Sequence, residues 1–406
     1  MSDTSFGFRA YLPLPREQRK GIGLCISGGG YRAALFHLGA LRRLNELGVL
    51  SRVDTIVSVS GGSILAAQIA GHVAESPGTW GEPGEPIQDF DEGIAKPMRE
   101  LASRDIRTGS ILEIVKPWNW FRHNVQIDDV VDELSKGPAK AKLADLPGPP
   151  RFVVCTTNLA FREQFTFDTG TGLLGGSSSG HGPLGDWTIA RACAASSCFP
   201  VAFDAMRVKV QLTSAGDYDG SDRDKLLAAT DLSDGGDFDN LGFEPVWRDH
   251  EVMLVSDAGP SFKPDPHIGA IWSQLRVLVT LMEQGADVRK RWLISGFVRG
   301  DLEGTYWGIA SKPANYPYQT AAATYSEDLI TNEISQIRID LDEFSEGEQA
   351  VLENHGYLMA DVAAHAHAER LITHDPPPAV PFPDWMDEAR VADALRESHL
   401  TKLFGR

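Results

Sequence analysis

Ser60 stands in the run Ser58-Val59-Ser60-Gly61-Gly62, between a β-rich stretch, Thr55 to Val59, and an apolar helical stretch. A serine on a sharp strand-to-helix turn crowded by small residues has its side chain pushed outward. The N–H that follows it points at the reacting oxygen. The pattern for such a nucleophile elbow is G-x-S-x-G. Here the first small position is Ser58, which a purely steric requirement tolerates. Upstream, Gly28, Gly29 and Gly30 follow a short apolar run, Gly23 to Ser27, and open a helix. Backbone N–H groups at a helix N-terminus suit a negative charge. A serine nucleophile beside a cradle for an oxyanion is the equipment of acyl transfer.

The glycine run admits other readings. Gly28-x-Gly30-x-x-Ala33 matches a relaxed dinucleotide fingerprint, which needs an acidic residue near the end of the second strand. No Asp or Glu lies between Asp54 and Glu75. No Gly-Lys-Ser/Thr follows the run, so it is not a P-loop. A tight turn without chemistry remains the plainest reading of the glycines alone, and Ser60 on the neighbouring strand outweighs it.

The elements that position these residues are legible. From Tyr31 to Gly48, Ala34, Leu35, Leu38, Leu41, Leu44 and Leu47 recur at helical steps, and Gly48 is a natural stop. Two parallel strands joined by one helix form a right-handed crossover. Both loops then leave the C-terminal ends of their strands, where open α/β sheets place their ligands.

SGGGYR (Ser27 to Arg32) followed by SVSGGS (Ser58 to Ser63) resembles the patatin-like phospholipases. Two further family elements follow in order: AASSCFP (Ala194 to Pro200), and Asp234-Gly235-Gly236 within LSDGGDFDNLG. The resemblance covers roughly Gly21 to Gly259, and Ser58 departs from the usual glycine. It implies an α/β fold with a mostly parallel central sheet flanked by helices, with insertions and a helical C-terminal part. It also implies that Ser60 is the nucleophile and Asp234 the base that takes its proton, with no histidine. Gly28, Gly29, Gly30 and Gly61 hold the oxyanion, and Arg32 matches the family's Lys/Arg, orienting the loop or meeting a lipid phosphate. The implied substrate is a phospholipid or another acyl lipid met at a membrane surface, with no metal and no cofactor.

Asp231, Asp237 and Asp239 surround Asp234. The spacing fits no twelve-residue calcium loop. A solvated acidic turn is the ordinary fate of such clusters; the order of the motifs favours catalysis. An aspartate with a pKa of about 3.9 is a weak base for a serine hydroxyl. It can serve if held close in a water-poor site.

At 42% hydrophobic and 23% charged residues, the 406-residue chain has the composition of an ordinary globular protein. A net charge of −18 argues against nucleic acid as a partner and against unaided adhesion to acidic membrane surfaces, though not against a local basic patch. Residues 1–20 lack a long apolar signal core, and no apolar run is long enough to span a membrane. Cys25, Cys155, Cys193 and Cys198 read as buried thiols of a reducing compartment, so the expected location is cytoplasmic, peripheral to membrane. The expected organisation is an N-terminal arm (1–20), a catalytic core (21–310, with insertions near 76–150 and 204–230) and a C-terminal helical extension (311–406). Trp118, Trp120 and Phe121 read as core packing or as a lipid contact. Further expectations are a Gly/Ser-rich loop at Thr169 to Gly185, a helix at Ile271 to Glu283, a last strand at Arg291 to Val298, irregular chain over 299–325, an extended stretch at Glu333 to Leu341 and a long helix from Ser345. Two competing functions stay open. One is a Ser-Asp-His triad completed by His250, His267 or His355. The other is a non-catalytic module that binds lipid or a partner on the same fold.

Overall fold

The computed structural model describes residues 13–108, 124–200, 203–214, 216–260 and 270–396. Trp118, Trp120, Phe121 and His267 lie outside the described residues.

Five parallel strands carry the centre of the sheet. They are β1 (Ile22–Ile26), β2 (Thr55–Val59), β3 (Arg151–Asn158), β9 (Val252–Asp257) and β10 (Glu303–Gly308), in the order β10-β9-β1-β2-β3. Every residue of β1 and β2 is buried. That is why they read as continuous apolar runs rather than as alternating ones. Ile56 packs into a core on one face of the sheet, while Val57 and Val59 pack into a second core on the other. Helices α1 (Gly30–Glu46) and α2 (Gly61–Glu75) make the crossovers that follow β1 and β2. Beyond β3 the sheet turns antiparallel through β4 (Glu163–Asp168), β5 (Leu173–Gly176) and β6 (Gly180–Pro183). The α/β architecture with a parallel centre and flanking helices is the expected one.

Four local expectations are corrected. The Gly/Ser-rich stretch at 169–185 is not a loop but holds the β5–β6 hairpin. The strand expected over Arg291–Val298 is the end of a 30-residue helix, α4 (Ala270–Arg299). Leu293 and Gly296 are buried on it, and Gly296 packs on Leu302. The stretch 299–325, expected to be irregular, contributes edge strand β10. Gly304 there has φ 128°, and a Cβ on it would stand 1.9 Å from the Met253 carbonyl. Glu333–Leu341 is no strand: it starts as a 3-10 turn, Ile334–Gln336, and then crosses the glycine loop.

The long helix α5 (Glu346–His367) lies where expected, with Ser345 as N-cap in a capping box with Glu348. It packs along α1 at backbone contact. A Cβ on Gly39 would stand 1.9 Å from the Glu353 carbonyl, and one on Gly356 would stand 1.8 Å from that of Phe36. This sandwich buries α1 on nearly all sides, and it buries Arg43 on Asp361 at 2.8 Å.

Candidate active site

The edge of β3 facing β2 is shared by two strands. The far edge is occupied by β4 from Val153 to Asn158. On the near edge β2 pairs as far as Val59↔Cys155, and β8 (Asp231–Asp234), itself paired with the short β7 (Met206–Arg207), pairs antiparallel from Asn158 back to Thr156↔Asp234. The two strands therefore approach head-on. One ends immediately before Ser60, and the other ends on Asp234. Residues 174 positions apart are brought together because Cys155 and Thr156 are neighbours.

Ser60 has φ 48° and ψ −117°. A side chain in that region costs roughly 1–3 kcal/mol and persists only where the surroundings impose it. Close packing imposes it here: a Cβ on Gly28 would meet Ser60 Cβ at 3.0 Å, and one on Gly61 would stand 2.1 Å from the Gly30 carbonyl. The Ser60 N–H donates to Ser196 Oγ (2.9 Å). Ser196 lies on α3 (Ile189–Ser196), and its hydroxyl donates to the Cys155 carbonyl at 2.7 Å. Ser63 Oγ bridges Ser196 Oγ (2.9 Å) and Ser58 Oγ (3.0 Å). Ser58, the departure from glycine, is thus buried and partnered.

The glycine loop runs from β1 into α1. The Gly28 N–H donates to the Asn240 carbonyl at 3.3 Å, so Gly28 differs from the expected oxyanion donor: its N–H is occupied and its contribution is steric. Among the described residues the N–H groups of Gly29, Gly30 and Gly61 have no partner. Gly29 (φ 142°) and Gly30 (φ 59°) adopt backbone that favours glycine. Asn240 fills the space between three glycines. Added Cβ atoms on Gly28 and Gly236 would stand 2.4 and 2.7 Å from its Oδ1, and one on Gly259 would stand 2.6 Å from its Nδ2.

Arg32 is buried in the wall of the cavity that holds Ser60 and Asp234. It donates to the carbonyls of Ala258 (2.8 Å), Gly259 (2.9 Å) and Ile337 (2.9 Å), tying the chain after β9 and the segment 335–341 to the glycine loop. Burial lowers its pKa to about 10, against the pull of Asp257. Of the two expected roles, the contacts are those of orienting the loop. The Tyr31 N–H donates to the Asp340 carbonyl (2.9 Å), and Arg107 pairs with the Asp340 carboxylate, so the same segment is held at its other end.

Asp234 is buried. Its Oδ1 accepts the Gly236 N–H at 2.7 Å, and its Oδ2 has no hydrogen bond of good geometry. Burial, then the charge of Asp237, raises its pKa to about 7. Hydrogen bonding to Ser60 and to Gly236 pulls the other way. Burial likewise lifts Asp237 to about 6. A base that titrates near neutrality is what the weak-base objection required.

Ser60 and Asp234 open together into a cavity of about 650 Å³, whose apolar wall includes Phe199, Phe203, Met282, Ile337 and Leu341. No histidine lines it among the described residues. His250 donates to or accepts from Thr55 Oγ1 (2.9 Å), at the opposite end of β2 from Ser60. His355 is buried on α5 against the Ile309 carbonyl (2.8 Å). His37, which sequence reasoning passed over, sits under the glycine loop between Ser256 Oγ (2.7 Å) and the Ser27 carbonyl (3.0 Å). Burial lowers its pKa to about 4, so it stays neutral. A larger hollow, about 770 Å³, runs along β10 and contains neither Ser60 nor Asp234.

A model of the patatin-like phospholipases matches residues 24–247, more than half of the chain. Among solved structures, the chain is similar to VipD from Legionella pneumophila, at 15% identity over 87% of this chain and 68% of that one, with a TM-score of 0.39. It is also similar to human GIVD cytosolic phospholipase A2, at 12% identity over 97% of this chain and 65% of that one, with a TM-score of 0.45. The chain thus spans about two thirds of the length of either. No curated protein matches the sequence.

Proposed function

Since the chain belongs to the patatin-like phospholipase family, we propose that it is a lipid acyl hydrolase in which Ser60 is the nucleophile and Asp234 the base. The observation that carries this reading is the head-on meeting of β2 and β8, with Ser60 and Asp234 at the junction and both facing one apolar cavity. Ser60 Oγ attacks the ester carbonyl carbon while its proton passes to Asp234. The carbonyl electron pair moves onto oxygen, which the N–H groups of Gly29, Gly30 and Gly61 receive. Collapse of that intermediate breaks the C–O bond. The leaving alcohol takes the proton from Asp234, and the acyl group stays on Ser60. Water then attacks the acyl-enzyme and gives its proton to Asp234; the acyl C–Oγ bond breaks, Asp234 returns the proton to Ser60 Oγ, and the fatty acid leaves. Each step needs one base and one set of oxyanion donors, and no third titrating group.

The cavity's apolar wall suits an acyl chain, which places acyl esters of phospholipids or related lipids first among substrates. The catalytic core is taken as residues 21–310, with 311–406 packed on it, acting in the cytoplasm at a membrane surface. The triad reading has no support from His250 or His355, which hydrogen-bond elsewhere. A binding module has no use for a strained Ser60.

The test is labelling with an alkyl fluorophosphonate followed by peptide mass analysis. The expected result is one adduct, on Ser60, absent from Ser60→Ala and strongly slowed in Asp234→Asn. An adduct on another serine, or none on a folded wild type, overturns the assignment.

A further inference from the structure

Helix α4 offers an apolar face that nothing among the described residues covers. Among the described residues, six of the nine exposed large hydrophobics lie on it. Four of them, Val277, Leu281, Val288 and Trp292, follow one another at steps of four, seven and four. At 100° per residue they fall within about 60° of the helix circumference. Leu281 and Trp292 are 63% and 61% exposed, which is unusual for such side chains in contiguous array. The stripe is therefore one continuous surface and not scattered exposure.

Other described positions of the helix face elsewhere, with Ile294 and Val298 on the hollow along β10. Leu293 and Gly296 face the core. Arg289 turns inward to Glu244 (3.3 Å). Met282, Ala286 and Lys290 line the Ser60 cavity. The cavity-lining positions and the stripe lie on opposite sides of the helix. Its diameter, roughly 10 Å, is all that separates them.

Charge selects the occupant. The helix carries five basic residues against Glu283 and Asp287, a local basic balance in a chain whose net charge is −18, although Arg289, Lys290 and Arg299 pair with Glu244, Asp257 and Asp301. Arg291 and Arg299 are exposed beside the stripe. A second copy of the chain would set these cations against their own duplicates. Anionic headgroups over an apolar interior match both the stripe and its basic margin, and Trp292 is the residue type that favours such a boundary. No described helix is apolar enough to cross a membrane, so α4 would lie in the surface plane.

We propose that the outer face of α4, centred on Leu281, Val288 and Trp292, is the surface by which this protein docks on anionic phospholipid bilayers, with the Ser60 cavity one helix diameter away. The identity of the partner rests on the lipid-hydrolase reading; the surface itself does not.

The experiment measures co-sedimentation with vesicles of phosphatidylcholine and phosphatidylglycerol. It compares wild type with the triple variant Leu281→Ser, Val288→Ser, Trp292→Ser, and with the single variant Arg291→Glu, which leaves the helix packing intact. The expected result is that partitioning falls about tenfold or more in the triple variant and severalfold in Arg291→Glu. Thermal unfolding and hydrolysis of a short, water-soluble ester stay at wild-type values. Undiminished binding by both variants overturns the proposal, as does a wild type that ignores the vesicles. A wild-type dimer that the triple variant dissolves overturns it too, and assigns the stripe to a second copy. Loss of soluble-ester hydrolysis in wild type would instead count against the catalytic reading and leave the vesicle comparison intact.

Discussion

Ser60 and Asp234 occupy the facing ends of two strands that share one edge of β3: β2 stops opposite Cys155 and β8 stops opposite Thr156. The alignment of these ends is fixed by the backbone ladder, so the pair is preorganised without a histidine between them. That arrangement, the strained elbow and the buried carboxyl lead to specific outcomes.

Activity should depend on pH through Asp234. A base must be ionised to accept the serine proton, and the carboxyl titrates at about 7 because of burial first and Asp237 second. The rate constant kcat/KM should fall as pH drops through about 7. Asp237→Asn removes the second cause, so the limb should move to lower pH. An unmoved limb would remove Asp237 from the electrostatics of the site.

The same shift has a cost in stability, with a definite sign. A carboxyl raised from 3.8 to about 7 holds its proton more tightly folded than unfolded. Stability therefore falls as pH rises from about 4 to about 7 and is level above. Asp234→Asn escapes this penalty. In urea unfolding it should be more stable than wild type at pH 8, by a gap of about a few kcal/mol that closes as pH falls toward 4. A gap independent of pH would mean that the carboxyl is not buried as charged.

Ser196→Ala leaves the Ser60 N–H without its 2.9 Å acceptor. As a positioning residue, Ser196 should affect kcat more than KM: a fall of about tenfold in kcat, with a loss of about 1–3 kcal/mol in stability from the unsatisfied donor. Equal changes in kcat and KM would argue for a packing defect alone.

Arg32→Met keeps the volume of the side chain and removes its bonds to four carbonyls, of Ala258, Gly259, Ser335 and Ile337, on two segments. Hydrogen bonds to a charged group contribute about 1.5–3 kcal/mol. A fall of at least that size is expected in chemical denaturation. Arg32→Lys should rescue little, because one ammonium cannot reach both segments in the planar geometry. Full rescue by lysine would mean that charge, and not the fork, is what the site needs.

Much of the centre was legible in the sequence because its signals are local. Gly23 to Ser27, the periodic leucines of α1 and the run ending at Ser60 each declare an element from adjacent residues. Asp234 was found only through the family pattern, since its pairing partner, Thr156, lies 78 residues upstream.

 That pairing of Thr156 with Asp234 leaves no trace in either segment read alone. Ser196 and Asn240 lie inside the family segments AASSCFP and LSDGGDFDNLG, yet their individual roles, like that of His37, depend on contacts with residues far away in the chain. Arg291 to Val298 misled because its aromatic and β-branched residues favour a strand, while the helix begun at Ala270 continues through them by packing Leu293 and Gly296. Edge strand β10 was hidden by its glycines, one of which, Gly304, is required by the approach of the Met253 carbonyl.

The most direct test of the dyad is fatty-acid release from phospholipid and neutral-lipid substrates, with chelator present, by wild type, Ser60→Ala, Asp234→Asn, His250→Ala and His355→Ala. The expected result is release by wild type and by both histidine variants. In Ser60→Ala and Asp234→Asn, release should be reduced by about a thousandfold or more. Loss of activity in a folded histidine variant, or near-normal release by Asp234→Asn, would contradict a mechanism in which Asp234 alone serves Ser60.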